Sequence, residues 1–261
     1  MEIGILYICT GKYKIFWKKF YLSCEKNFIT EAEKEYFVFT DAESIDFEKE
    51  NKNIHKIYQE NLGWPNNTIK RYEIFLKSKK KMEEMDYLFF FNANIVVLKN
   101  ITTEEFLPHG QEKIVGCLHP GYYNKPIKKF TYENNPLSKA FIERKEGLHY
   151  YSGGINGGET KSFLNIIEML NNNINEDYKN KIIAVWHDES HWNWYLNNHP
   201  DMVKNISPSY CYPEGASLPF EQKMLVRDKD LLGGFSSFRN KIELRLIVNK
   251  IKRSVKKYYK H

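Results

Sequence analysis

The sequence lacks any apolar run approaching the roughly 18 residues that span a bilayer. Its first apolar stretch, Ile3 to Cys9, is too short for a secretory leader and has no basic segment before it. Cysteine is scarce. Cys9, Cys24, Cys117 and Cys211 show no CxxC spacing, which excludes the usual zinc and thioredoxin-like patterns and reads as reduced thiols of a cytoplasmic protein. There is no HExxH, and no GxGxxG follows a strand-like segment. Internal repeats and low-complexity linkers are absent too. The formal charge of +6 is local: residues 239–261 hold nine Lys/Arg against Glu243 and carry +8, so the remaining 238 residues sum to −2. With no nucleic-acid motif and a slightly acidic body, nucleic acid is not an expected partner.

What is present is a chain of 261 residues, 42% hydrophobic, with 18 Tyr and 17 Phe. That length suffices for one large α/β domain or two small ones. Met1 to Thr10 reads as a buried strand, Tyr13 to Phe28 as a helix, Glu35 to Thr40 as a second strand and Ile54 to Ile57 as a third. Asn61 to Asn67 reads as a loop, Thr68 to Met82 as a helix, and Tyr87 to Phe91 as a strongly buried strand. Strands alternating with helices predict a mostly parallel sheet covered on both faces. The later half reads as richer in loops, with a turn at His119-Pro120-Gly121, a glycine-rich segment from Gly153 to Gly158 and a helix from Lys161 to Asn171. The expected organisation is a single domain over residues 1–235, with a nucleotide-sugar half at 1–100 and an acceptor and catalytic half at 101–235. A basic tail follows at 236–261. In it Leu244, Ile247, Ile251, Val255 and Tyr258 recur at helical steps between lysines, the pattern of a helix lying peripherally on an anionic membrane surface.

Ligands of open α/β sheets sit beyond the carboxyl ends of the strands. Three segments are expected there: Ile8-Cys9-Thr10, Asp41 and Asn92-Ala93-Asn94. The last is also what a simple strand-ending turn looks like. Trp186-His187-Asp188-Glu189-Ser190-His191 joins a flat apolar face to two adjacent carboxylates and two histidines. Such a group suits hydroxyl binding, metal binding or acid-base work, and equally a helix start capped by Asp188 or Ser190. Tyr150 to Gly158 holds four glycines in six residues, which permits close backbone approach to a ligand or simply a flexible loop.

Taken together these segments resemble glycosyltransferase family 6, the family of the histo-blood-group A and B transferases and the α-1,3-galactosyltransferases. The resemblance rests on Leu118 to Tyr123, Phe130 to Glu133, Tyr150-Tyr151 with Gly153-Gly154 and Gly157-Gly158, and Trp186 to Ser190, in family order from residue 1 to about 230. It implies a GT-A-like fold and transfer from a UDP-sugar, UDP-GalNAc or UDP-Gal, in α-1,3 linkage with retention. The implied acceptor is a β-galactoside, expected to be fucosylated. By the same resemblance Ile8, Cys9, Thr10 and Tyr13 match the uridine segment, and Arg71 an arginine near the donor sugar. Asn92, Ala93 and Asn94 match the metal motif, and Ser152, Gly153 and Gly154 the donor-selecting segment. His187 and Asp188 fall to the donor sugar, His119, Thr131 and Trp186 to the acceptor, and Glu189 to the catalytic carboxylate. Glu189 would either attack the anomeric carbon or stabilise an oxocarbenium ion; the residues leave both routes open.

Two departures matter. The vertebrate members carry Asp-x-Asp where this chain has Asn92-Ala93-Asn94, and they are membrane-anchored in the Golgi, whereas this chain shows no anchor; both features look like the bacterial branch. Neutral amides are weak ligands for a hard cation, so no metal cofactor is expected. The charge on departing UDP then falls to Arg227 and Lys229, Lys229 first.

Overall fold

The computed structural model describes residues 1–143 and 146–229. The expected domain end near 235 and the basic amphipathic tail lie outside the described residues. Among the described residues no helix is long and apolar enough to cross a membrane.

The central strands of the seven-stranded sheet carry apolar side chains on both faces. β1 (Glu2–Ile8), β2 (Glu33–Thr40) and β4 (Tyr87–Phe91) send alternate side chains to opposite faces. Ile3, Ile5, Tyr7, Tyr36, Val38, Phe89 and Phe91 enter one core; Leu6, Phe37, Phe39, Leu88 and Phe90 enter the other. Two-sided burial explains the runs without polar alternation. β3 (Ile54–Tyr58) lies at one edge, and the other half is formed by β6 (Ile114–Leu118), β7 (Tyr151–Glu159) and β8 (Val203–Ile206). The order is β3-β2-β1-β4-β7-β6-β8. Every pair is parallel except the two made by β7, which runs antiparallel to both β4 and β6. A second sheet of three short strands joins β5 (Ile95–Val97), β9 (Tyr212–Pro213) and β10 (Met224–Val226).

α1 (Trp17–Asn27) covers the first face with Trp17, Phe20, Tyr21 and Cys24, after a 3-10 turn over Gly11–Phe16. Three short pieces lead across the second face: α2 (Asn66–Ile69), α3 (Arg71–Leu76) and α4 (Lys79–Met82). A small helix, α5 (Thr103–Phe106), is closed by a capping box between Thr102 and Glu105. The second face is completed by α6 (Thr160–Lys179), which buries Phe163, Ile167, Leu170 and Ile174, and by α7 (Asp188–Asn198), which buries Trp192 and Leu196. The mixed α/β sheet flanked by helices matches the expected GT-A-like fold. A smaller aromatic cluster of Phe130, Tyr132, Ile142 and Tyr150 holds the loop region of the second half.

Two expectations are corrected. The glycine-rich segment is a strand, not a loop. At Gly157 and Gly158 a Cβ would lie 2.2 Å from the carbonyl oxygens of Leu88 and Lys113, so the glycines are there for close strand packing. The single helix expected from Thr68 to Met82 is broken into α2, α3 and α4, with Lys70 and Ser78 at the breaks. The four cysteines are free and buried, with Cys117 Sγ 3.2 Å from Cys211 Sγ.

Candidate active site

α7 begins abruptly. His187 precedes it at φ 55° and ψ −125°, a left-handed conformation that costs a non-glycine residue on the order of 1–3 kcal/mol. Neither Asp188 nor Ser190 caps the helix, contrary to the capping alternative; Ser190 Oγ instead accepts from the Trp186 N–H at 3.0 Å. The sharp turn aims Asp188 and Glu189 inward. His187 is steadied by an edge contact with Trp64 at 5.3 Å and by Thr68 Oγ1, 3.2 Å from its Nδ1. The Thr68 hydroxyl already donates to the Pro65 carbonyl, so His187 Nδ1 carries the proton of that contact.

Asp188 is 2% exposed and ion-pairs with Arg71 of α3. The same guanidinium donates to the Gly153 carbonyl at 2.7 Å and lies 4.3 Å from the Phe90 ring centroid. Burial pushes the Asp188 carboxyl up to about 6, with Arg71 opposing the rise. Glu189 Oε2 accepts the Gly153 N–H at 2.7 Å, and Oε1 accepts the Tyr150 hydroxyl at 3.1 Å. Burial pushes Glu189 up to about 7; Gly153 and Tyr150 hold it down while the Asp188 charge adds to the rise. Asn193, one helical turn on, donates to the Glu189 and Tyr151 carbonyls and accepts the Tyr151 N–H, all at 2.8–2.9 Å. This amide fixes α7 against the start of β7.

Residues 152–154 lie beyond the pairing of β7 with β4, which begins at Ile155, and at an irregularity in its pairing with β6, which resumes at Tyr151. Ser152 Oγ accepts from the Gly154 N–H, and the Gly154 carbonyl accepts from the Asn92 N–H at 2.9 Å. A Cβ on Gly154 would stand 2.8 Å from Asn92 Nδ2. The segment matched to donor selection and the Asn92-Ala93-Asn94 turn therefore adjoin. Ala93 is buried, its carbonyl accepting the Tyr7 hydroxyl, and Asn94 is tied to Arg227 in both directions: Asn94 Nδ2 donates to the Arg227 carbonyl at 2.6 Å, and the Arg227 N–H returns to the Asn94 carbonyl at 2.8 Å. Arg227 also faces Glu214, 4.0 Å away. Lys229 Nζ lies 5.0 Å from the Tyr13 ring centroid, bringing a cation to the segment matched to uridine. Around it Thr10 Oγ1 accepts from Asn67, and Asp41 accepts the Gly11 N–H at 2.6 Å. Ile8 is half-buried at the strand end. Cys9 is fully buried in the core, with its N–H bound to Phe39 and its carbonyl to Thr40, so its place is structural.

The residues matched to the acceptor also meet. Thr131 Oγ1 accepts from Trp186 Nε1 at 2.7 Å and contacts the hydroxyls of Tyr122 at 2.8 Å and Tyr150 at 3.3 Å. Trp186 is 46% exposed, an open apolar platform. His119 stands edge-on to Tyr150 and accepts the Gly121 N–H on Nδ1 at 3.0 Å, which leaves its proton on Nε2, pointing the donor elsewhere. Burial pulls His119 down to about 4, so it is neutral near pH 7. Glu133 ties the two walls together, accepting the Val185 N–H at 2.6 Å.

Sequence reasoning missed Tyr150 and Asn193 as partners of Glu189, together with Thr68 and Trp64 behind His187. Tyr150 stood inside a quoted motif; the others left no local signal. Among the described residues no three His, Cys, Asp or Glu side chains are gathered as metal ligands would be.

A model of glycosyltransferase family 6 matches residues 1–229. The chain is 39% identical over 231 residues to the Escherichia coli O-antigen biosynthesis glycosyltransferase WbnI, covering 88% of this chain and 96% of that protein. It is 31% identical to the rat histo-blood group ABO system transferase 1 across 81% of this chain, and spans 61% of that longer protein. It is 29% identical to the human globoside α-1,3-N-acetylgalactosaminyltransferase 1 across 88% of this chain and 67% of that one. With the mixed sheet and the meeting of Thr131, Tyr150, Gly153, Trp186 and Glu189 beside it, these matches establish that the chain belongs to glycosyltransferase family 6 and is a hexosyltransferase.

Proposed function

We propose that the protein transfers GalNAc from UDP-GalNAc, with retention and in α-1,3 linkage, to a fucosylated β-galactoside, without a divalent metal. The observation that carries this reading is the Glu189 carboxylate held by the Gly153 N–H on the small-residue segment that adjoins Asn92. A donor sugar seated on Ser152-Gly153-Gly154 would present its anomeric carbon to Glu189. The carboxylate on the β face then either captures that carbon or offsets the charge of an oxocarbenium ion while the acceptor enters from the α face. His119, with its proton on Nε2, and Thr131 would hold galactose hydroxyls over the Trp186 platform.

The preference for GalNAc over Gal rests on the small side chains at residues 152–154, with the Asn92 amide bounding the space beside Gly154. The name of the human relative, a globoside α-1,3-N-acetylgalactosaminyltransferase, supports the same sugar and linkage. Metal does not fit the residues at the turn. Asn92 and Asn94 offer only neutral amide oxygens, weak ligands for a hard cation that prefers carboxylate. Lys229, beside Tyr13, is the proposed partner of the diphosphate and Arg227 the second.

The test is a matrix of UDP-sugars against fucosylated and plain galactosides in EDTA, with product linkage determined. UDP-GalNAc is expected to outperform UDP-Gal, and Gly154→Ala to move the preference toward UDP-Gal. A wild-type enzyme that works better with UDP-Gal overturns the donor assignment. Products without α-1,3 linkage overturn the linkage.

A further inference from the structure

Four hydroxyl or ring N–H groups form a chain that ends on Glu189, and its direction is fixed by counting protons. Trp186 Nε1 can only donate, and it donates to Thr131 Oγ1. Tyr150 donates to the Glu189 carboxylate, so toward Thr131 its oxygen must accept. Thr131 has one proton and spends it on Tyr150. The Tyr122 hydroxyl, 2.8 Å away, must therefore donate to Thr131. Every bond in the set points toward Glu189, and Thr131 has its one proton and both lone pairs engaged. A sugar hydroxyl that binds Thr131 has to displace one of these partners or take the proton from Tyr150. Either event alters what Tyr150 delivers to the carboxylate.

We infer that Tyr150 is a positioning residue through which Thr131, on the acceptor side, sets the ionisation of Glu189 on the donor side. This rests on the reading of Glu189 and Thr131 given above and deepens it. The physical basis is polarisation: a hydroxyl that accepts a hydrogen bond becomes a better donor, and a better donor favours the charged carboxylate. The other groups facing Glu189 are Asp188 on its own helix, Arg71 and Tyr72 on α3 and the Gly153 N–H on β7. His119 and Tyr122 stand behind Tyr150. None of these contains the Thr131 hydroxyl, so removing that group isolates the chain.

The experiment measures Glu189 without any acceptor present. One readout is the acid limb of slow UDP-sugar hydrolysis; the other is the carboxyl resonance of Glu189 in carbon-13-labelled protein, assigned with Glu189→Gln. Tyr150→Phe keeps the ring packing and should raise the Glu189 midpoint by about one pH unit. Thr131→Val, which never touches Glu189, should raise it by roughly a third to a half of that, and Thr131→Ser should restore it. A role confined to acceptor binding would leave the acceptor-free midpoint unchanged in Thr131→Val, and that result overturns the inference. If Glu189→Gln hydrolyses donor normally, the catalytic reading of Glu189 fails instead, while the resonance titration still decides the coupling.

Discussion

The Gly153 N–H donates to Glu189 Oε2 at 2.7 Å, and a Cβ on residue 153 would stand 2.8 Å from the Cβ of Glu189. The missing side chain is what lets the carboxylate reach the strand.

Gly153→Ala should therefore be a catalytic lesion with little effect on the fold. The backbone of Gly153 is not in the left-handed region, so alanine is tolerated there apart from the collision. Displacing Glu189 by several tenths of an ångström should lower transfer on the order of 10²-fold. Steady-state kinetics with a thermal melt checks this; an unfolded variant or unchanged turnover would count against it.

The pH profile should be shifted far from that of an ordinary glutamate. Glu189 is pushed up to about 7, mainly by burial, from its usual value near 4.5. Its ionised form is the one proposed to act, so transfer should climb between about pH 6 and 8. The stability effect has the opposite slope. A carboxyl whose folded value is raised binds its proton more tightly when folded, so its contribution falls as pH rises from 4.5 through 7. Glu189→Gln should accordingly melt higher than the wild type at pH 8 and alike at pH 4.5. Equal melting points at pH 8 would show that burial does not strain the charge.

Asn193→Ala tests the link between α7 and β7. It removes three buried hydrogen bonds, each worth about 1 kcal/mol net, and leaves the Tyr151 main chain without partners. The expected loss is about 2–4 kcal/mol, with a fall in melting temperature of roughly 5–10 °C. Transfer measured well below the new melting point should drop as well, because Glu189 loses its anchor.

Lys229→Ala should lose much of its activity, on the order of 10²-fold, in EDTA and in added Mn²⁺ alike. The wild type should keep full activity in EDTA. Strong stimulation by Mn²⁺ would show that the amides of Asn92 and Asn94 hold a cation after all. An unaffected alanine variant would move the neutralising charge to Arg227 or elsewhere.

The parallel half of the sheet was legible because β1, β2 and β4 bury both faces, which leaves an unbroken apolar run in the sequence. β7 was not, because Gly157 and Gly158 have no side chains from which to read an alternation. The helix breaks at Lys70 and Ser78 carry no proline or glycine and were equally silent. At the site, Glu189 and its neighbours were found through the family motif. Tyr150 reaches Glu189 across 39 positions of chain and Asn193 reaches Tyr151 across 42, and no local pattern encodes such a meeting. The left-handed His187 likewise shows only in the backbone; its sequence neighbours suggested an ordinary capped helix start.

The reversed direction of β7 has an evolutionary consequence. Asn156 to Gly158 are paired on both sides, and two of those residues tolerate no side chain. Ser152 and Gly154 lie on the same strand at the irregularity between that part and Tyr151, which pairs with Leu118. Under the proposed donor role, substitutions at those two positions would retune which sugar is accepted while the paired part maintains the fold. On that proposal, a lineage with this strand would change the sugar it writes through single steps, without first acquiring stabilising mutations elsewhere.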